Sequence, residues 1–262
     1  MFFRSPKTPP ADLARRELEA KVAAISRSQA VSEFGLEGVI LDANANFLTV
    51  MQYARDEVVG RHHSIFVPAD ERESDAYRQF WTRLRSGQFE TAEYKRIRKD
   101  GGEVWIQATY NPMLDGEGKP YKVVKFATDI TDIKMRSVDH AGQIEAIGRS
   151  QAVISFNLDG VILAANANFL TLMEYGLPEV EGRHHQMFVS PAERASESYR
   201  EFWNRLRKGE FFSAEFKRFT KSGREVWIQA SYNPIFDLNG KPFKVVKFAS
   251  DVTATKLKLV DF

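Results

Sequence analysis

Four of the five histidines form two adjacent pairs, His62-His63 and His184-His185. Imidazole is the commonest ligand of transition metals in proteins and an axial ligand of haem iron. Two neighbouring histidines in a strand or helix cannot easily face one iron, so at most one of each pair would bind it. The pairs therefore mark candidate haem sites, through His62 or His63 and through His184 or His185. The alternative is that both pairs only form hydrogen bonds, near the domain surface or at a helix cap.

Several side-chain amides could contact a ligand held between a sheet and its helices, where concave apolar sites usually lie. Each of them could equally be a structural hydrogen-bonding residue. They occur at matching places in the two halves of the chain: Asn44, Asn46, Gln107 and Asn111, with Asn166, Asn168, Gln229 and Asn233.

Composition and motifs favour a cytoplasmic protein that is not an enzyme. Cysteine is absent, which excludes thiolate nucleophiles and disulfides and suits a reducing compartment. The formal net charge is +2, so electrostatics favours neither nucleic acid nor an anionic membrane as a partner. No apolar run approaches the roughly 18 residues of a membrane span. Neither a glycine-rich phosphate loop nor a His-Glu-x-x-His metal helix occurs.

One sequence is present twice in the chain, with a constant offset. Gly38-Val39-Ile40-Leu41 returns at 160–163 and Val104-Trp105-Ile106-Gln107-Ala108 at 226–230. A repeat of this length predicts two domains of one fold. We expect a disordered tail over 1–10, a helix over 11–27, a first domain over 28–133, a helical linker over 134–149, a second domain over 150–255, and the start of an outgoing helix over 256–262.

Hydrophobic periodicity and turn residues predict the same elements in each copy, here numbered for the first. We expect strands over 31–36 and 39–43, short helices over 44–51 and 56–59, a longer helix over 71–85, and strands over 90–99, 103–112 and 121–131. Adjacent strands with tight turns indicate a five-stranded antiparallel sheet with helices on one face, the α+β class. An amphipathic helix precedes each copy, and its apolar stripe must pack on its own domain or on a partner helix.

These elements resemble the PAS sensory domain, twice over. In the first copy Asn44-Ala45-Asn46-Phe47, Asp56-Glu57-Val58-Val59-Gly60 and Asp129-Ile130-Thr131 are similar to family motifs. Asp251-Val252-Thr253 closes the second copy in the same way. The residues Asp129, Thr131, Asp251 and Thr253 can cap the helix that follows the last strand. The resemblance implies that such caps pass distortion of the sheet to that helix, and the alternative is a cap that only stabilises.

The resemblance also implies two cofactors, haem b and flavin, but this sequence departs from both patterns. The long helix lacks the histidine of oxygen-sensing relatives, and Val67 and Val189 stand where haem-binding chemoreceptors have their ligand. Trp81 and Trp203 resemble a tryptophan of aerotaxis sensors, although the Arg-His-Pro-Asp stretch before it is missing. We expect no cofactor, with haem or flavin as the alternatives.

The resemblance is to the tandem PAS input region of soluble methyl-accepting chemotaxis receptors. It implies a cytoplasmic input module that senses a small molecule, oxygen or redox state, and that relays the signal through linker helices. The alternatives are the input half of a histidine kinase or cyclic-di-nucleotide enzyme, and a ligand-free dimerisation scaffold. We expect self-association through the helices over 11–28 and 132–148. Because Lys256 repeats Lys134, we also expect an output domain or a further PAS copy beyond Phe262.

Overall fold

A computed structural model describes residues 10–260, and the chain divides into two compact units at Val138 and Asp139. The expected tail over 1–10 lies outside the described residues, except that Pro10 begins the first helix. In the first unit the elements are α1 Pro10–Ser28, β1 Ala30–Phe34, β2 Ile40–Ala43, α2 Ala45–Met51, α3 Arg55–Val58, a 3₁₀ helix His63–Phe66, α4 Ala69–Arg72, α5 Asp75–Arg85, β3 Glu90–Ile97, β4 Glu103–Leu114 and β5 Pro120–Asp129.

The second unit repeats this order. Its elements are α6 Thr131–Ser150, which begins in the first unit, β6 Ala152–Asn157, β7 Ile162–Ala165, α7 Ala167–Met173, α8 Leu177–Val180, a 3₁₀ helix His185–Phe188, α9 Pro191–Ala195, α10 Glu197–Arg207, β8 Phe212–Phe219, β9 Glu225–Phe236, β10 Pro242–Asp251 and α11 Thr253–Val260.

Each domain contains one five-stranded antiparallel sheet, which confirms the predicted α+β class. The strand order is β2-β1-β5-β4-β3 in the first domain and β7-β6-β10-β9-β8 in the second. Pairing of β1 with β5 brings Ser32 opposite Lys125, although the two are far apart in sequence. Every second side chain of β4, from Val104 to Tyr110, is buried, because a strand turns alternate side chains toward the helices.

The single helix predicted over 71–85 was wrong, because α4 and α5 are separate. Ser74 stands between them as the N-cap of α5, and its hydroxyl accepts a hydrogen bond from the backbone N–H of Tyr77 at 3.1 Å. A serine cap of this kind replaces the missing helical acceptor and starts a new helix. The short helix over His63–Phe66 was not predicted either.

The apolar stripes of α1 and α6 are largely open to solvent. Leu18 and Val22 of α1 and Val138 and Ile144 of α6 are all at least 59% exposed. Their own domains therefore bury only a small part of these stripes. Among residues 10–260, no helix combines the length and apolar character needed to cross a membrane.

Candidate functional site

His63 lies at the centre of the first domain and has no exposed surface. Its Nδ1 is 2.9 Å from the hydroxyl of Tyr77, and its Nε2 is 3.0 Å from that of Tyr110. Aromatic rings enclose it, with the centroids of Phe34 and Trp81 at 5.3 and 5.6 Å. The 3₁₀ helix, α5 and β4 thus converge on one imidazole.

Burial lowers the pKa of His63 well below its ordinary value of 6.5, and the positive charges of Arg96 and Lys125 lower it further. The ring is therefore neutral, with one nitrogen donating to a tyrosine hydroxyl and the other accepting from one. Both nitrogens are occupied, so coordination of haem iron by His63 would have to break one of these hydrogen bonds. The geometry does not fit haem at this residue.

His62 has a different place, at the start of the 3₁₀ helix. Its Nδ1 accepts a hydrogen bond from the backbone N–H of Ser64 at 3.1 Å, and its side chain is exposed. Gly38 approaches closely: a Cβ built there would lie 2.6 Å from the Nε2 of His62. The residue is a helix cap, which is the hydrogen-bonding role that the sequence offered as the alternative to haem ligation.

Two buried cations accompany His63 and were not predicted. Arg96 and Lys125 are each 1% exposed. Arg96 donates to Glu71 at 3.3 and 3.4 Å, whereas Lys125 Nζ lies 5.3 and 5.0 Å from the ring centroids of Phe47 and Tyr110. Burial lowers the pKa of Lys125 well below 10.5, and Arg96 adds to the effect. Strand alternation could have found Lys125, because it stands between Val123 and Ala127 on the buried face of β5.

The second domain has the same interior. His185 is fully buried, with its Nδ1 2.8 Å from the hydroxyl of Tyr199 and its Nε2 2.9 Å from that of Tyr232. Arg218 and Lys247 are 2% and 1% exposed. The two domains therefore share this polar interior, and His184 again caps a 3₁₀ helix.

Four of the six candidate asparagines lie together in pairs, at the end of the incoming helix of each domain. Asn44 accepts from the backbone N–H of Phe47 at 2.9 Å and donates to the carbonyls of Ser26 and Gln29 at 2.9 and 2.8 Å. Asn46 donates to the carbonyl of Ser26 at 3.1 Å. In the second domain Asn166 and Asn168 donate in the same way to the carbonyls of Gly148 and Gln151. The asparagines join the incoming helix to its domain.

The remaining candidates are spread over the two faces of each sheet and its helices. Trp81 and Trp203 are buried beside the histidines, with Trp203 5.6 Å from His185 between ring centroids. Gln107 is exposed on the outer face of β4. Asn111, also on that face, donates weakly to the carbonyl of Val124 at 3.4 Å. The corresponding Asn233 donates to the carbonyl of Val246 at 3.3 Å, and Gln229 is exposed like Gln107.

Asp129 and Thr131 join the last strand to the outgoing helix α6. The carboxylate of Asp129 accepts from the backbone N–H of Thr131 at 2.8 Å, and Arg98 pairs with that carboxylate at 3.3 Å. The hydroxyl of Thr131 accepts from the backbone N–H of Trp105 at 3.0 Å. The backbone N–H of Ile130 donates to the carbonyl of Trp105 at 2.8 Å. The first residue of α6 is thereby bonded to the central strand β4.

Asp251 and Thr253 repeat these contacts at α11. Thr253 donates its backbone N–H to Asp251 at 2.9 Å and accepts from the N–H of Trp227 at 2.9 Å. Thr220 occupies the place of Arg98, so this carboxylate lacks the arginine partner of the first domain.

A lysine one turn further along adds a contact that was not predicted. Lys134 forms an ion pair with Glu93 of β3, and its Nζ lies 5.0 Å from the ring centroid of Trp105. Lys256 makes the same contacts with Glu215 and Trp227. The tryptophans therefore lie on the outer face under the outgoing helix, while their neighbours Ile106 and Ile228 point into the core. We call each set of threonine, lysine and tryptophan contacts an exit latch.

The sequence of the chain was compared with known protein families and proteins. The sequence profile described as "PAS fold" matches residues 40–127 and 162–249. The chain is 45% identical over 232 residues to the biofilm dispersion protein BdlA of Pseudomonas aeruginosa, covering 88% of this chain and 56% of that protein. It is 22% identical over 210 residues to the oxygen sensor protein DosP of Escherichia coli, covering 77% of this chain and 25% of that protein.

The aerotaxis receptor of Escherichia coli is 28% identical over 109 residues, which are 42% of this chain and 21% of that protein. The chain thus spans about half the length of BdlA and a smaller part of the length of the other two relatives. The two profile matches cover most of each domain, from β2 into β5 and from β7 into β10. The chain belongs to the PAS fold family and is a tandem PAS sensory module.

Proposed function

We propose that this chain is the signal-input part of a cytoplasmic chemoreceptor-like protein. A change inside either domain would reach the helix that leaves it and pass to an output domain outside this chain. The biofilm dispersion protein and the aerotaxis receptor, by their names, support a role in such a signalling protein. The signal itself would be a small molecule, oxygen or redox state, and the module would act without catalysing a reaction.

The exit latch is the observation that carries this proposal. Thr253 and Lys256 bond the first turn of α11 to the outer face of the sheet, whose inner face holds the buried histidine network. A shift of β9 within the core must therefore move Trp227 and the helix bonded to it. Allosteric coupling needs an element whose position both sites influence, and these contacts support α11 as that element.

A fusion of this chain to the methyl-accepting coiled coil of a soluble chemoreceptor tests the proposal. We expect Thr253→Val to change the activity of the receptor-coupled histidine kinase by about fivefold or more, because coupling energies are typically 1–3 kcal/mol. Thr171→Val is the matched control, since Thr171 is exposed on α7. Unchanged kinase activity with a lower melting temperature would show that the latch only stabilises the fold.

The dense interior favours a second candidate function, a ligand-free scaffold for dimerisation. His63 has Tyr77, Trp81 and Tyr110 within 5.9 Å between ring centroids. In that case α1 and α6 would bind a second copy through their exposed stripes. The kinase measurement separates the two, because a scaffold would tolerate Thr253→Val without a change in output.

A further inference from the structure

The second domain has a cleft that opens between α10 and β8. Its volume is about 360 Å³, which lies within the usual size of small-molecule sites. Aromatic side chains from both elements provide most of its lining. The lining residues are Glu193, Ser198, Tyr199, Glu201, Phe202, Arg205, Phe212, Phe216 and Arg218.

The first domain has an ion pair at the corresponding place. There Glu90, at the position of Phe212, pairs with Arg83 of α5. In the second domain Arg205 pairs instead with Glu210 at 2.7 Å, and its guanidinium lies 4.5 Å from the ring centroid of Phe212. A charged contact has thus been exchanged for an apolar surface with an arginine at its edge.

The aromatic lining of the cleft suits a flat apolar group. The rings of Phe202 and Phe212 are 4.9 Å apart, and those of Phe202 and Phe216 are 6.4 Å apart. In the first domain the matching Phe80 is 7% exposed, whereas Phe202 is only partly buried. An aromatic ring placed on these phenylalanines would gain offset or edge-to-face contacts, which aromatic pairs prefer.

Arg218 lines the cleft, and its Nη2 lies on the side of Tyr232 in the buried interior. It is 2% exposed, and its Nη1 donates to Glu193 at 3.2 and 3.5 Å and to the carbonyl of Lys217 at 2.7 Å. Its buried Nε has no hydrogen-bond partner among residues 10–260, and its Nη2 makes only a long contact of 3.4 Å with Tyr232. The Nε–Nη2 edge of a guanidinium is a two-donor fork that matches a carboxylate.

We propose that the second domain binds a small aromatic carboxylate in this cleft, with the ring on Phe202, Phe212 and Phe216 and the carboxylate on Arg218. Arg205 at the edge adds attraction for the anion. This inference rests on the proposed function, because it names the class of signal that one of the two input domains receives.

Titration of the whole chain with 4-fluorobenzoate, followed by fluorine NMR, tests the proposal. We expect saturable binding at one site per chain, and binding at least about tenfold weaker for 4-fluorobenzyl alcohol, which keeps the ring and lacks the charge. Phe212→Glu introduces the residue of the first domain and should weaken 4-fluorobenzoate binding at least about tenfold. Because Glu90 and Arg83 already pair at that position in the first domain, this variant is expected to fold.

Phe211→Glu is the matched control. Phe211 is 70% exposed and does not line the cleft, so the variant should bind 4-fluorobenzoate within about twofold of the original chain. Arg205→Leu provides a second, surface-exposed test and should also weaken binding.

Equal affinity for the acid and the alcohol would overturn the proposal, as would unchanged affinity in Phe212→Glu. Absence of binding in the original chain would do the same. Tighter binding of 4-fluorophenylalanine would show that Glu193 or Glu201 recognises an ammonium group, and would replace the carboxylate class by amino acids. None of these outcomes affects the kinase measurement on Thr253→Val, which uses no added ligand.

Discussion

At the scale of residues, each domain interior combines a neutral histidine with a buried arginine and a buried lysine beside aromatic rings. Lys125 lies between the rings of Phe47 and Tyr110 and has only one charged neighbour, Arg96, that affects its pKa. A lysine held in this way is expensive to bury as an ion and is more easily buried neutral.

Lys125→Met should raise stability at pH 7 by about 1–4 kcal/mol, since hydrophobic replacement of a buried ionisable group is often stabilising. The lowered pKa of Lys125 also makes the stability of the folded chain depend on pH. Below the unfolded value of 10.5 the unfolded chain binds one more proton than the folded chain, so stability decreases as the pH falls from 10.5 toward the folded pKa.

The variant should therefore lose part of the rise in stability between pH 7 and pH 10, as measured by urea unfolding. Lys119→Met is the control, because Lys119 is exposed in the turn before β5 and should leave the pH profile unchanged. A Lys125→Met variant that is less stable at pH 7 would mean that the amine makes a favourable contact in the folded state.

At the scale of elements, the two ends of the linker helix are held by different chemistry. Thr131 and Lys134 bond the start of α6 to the sheet of the first domain. Asn166 and Asn168 bond its last carbonyls to the second domain. A donor side chain satisfies helix carbonyls that have no partner within the helix.

Asn44→Asp separates the two hydrogen-bonding roles of Asn44, as an acceptor at the start of α2 and as a donor to the end of α1. The carboxylate still accepts from Phe47, but it no longer donates to Ser26 and Gln29, and its charge meets the negative end of the helix dipole. We expect faster hydrogen exchange in the last turn of α1 and a loss of about 1–3 kcal/mol of stability.

Asn166→Asp is the reciprocal control for this measurement. It should accelerate exchange in the last turn of α6 and leave α1 unchanged, because its amide donates to Gly148 and Gln151. Equal exchange rates in all three proteins would show that the asparagines do not hold the helix ends.

At the scale of the whole molecule, exposed apolar surface supports our proposal that the chain self-associates. Val22 and Ile25 of α1, together with Val31, Val124 and Phe126 of the outer sheet face, line a groove of about 480 Å³ in the first domain. Apolar surface of this kind gains free energy when a second copy covers it.

Val22→Glu should weaken dimerisation at least about tenfold, as measured by sedimentation equilibrium, because it places a charge in the apolar groove. Arg16→Glu changes a charge on the same helix and should have a much smaller effect. A strictly monomeric original chain at high micromolar concentration would refute the prediction.

The sequence predicted most of the fold because its signals are local or repeated. Turn glycines, alternating strands and the constant offset of the copies fixed five strands per domain and two domains. The split between α4 and α5 was missed because Ser74 lies in a helical pattern, and only its hydrogen bond to Tyr77 shows that it caps a new helix.

The site was predicted less completely, because residue type does not determine a partner. The histidine pairs were recognised, and so was the capping of α6 by Asp129. The roles within a pair were not separable, since only the structure shows that His62 caps the 3₁₀ helix and that His63 begins this helix and is buried. Lys134 was absent from the predicted site, because its partners Glu93 and Trp105 lie on other strands.

By itself, the sequence determined the duplication, the α+β class and the family resemblance, because periodicity and turn residues act over short distances. Only the tertiary structure decided that His63 meets two tyrosines, that Lys125 is buried, and that Phe212 lines a cleft whereas Glu90 pairs with Arg83. These facts depend on strands that are distant in sequence and adjacent in the sheet, and no local pattern records which side chains such strands bring together.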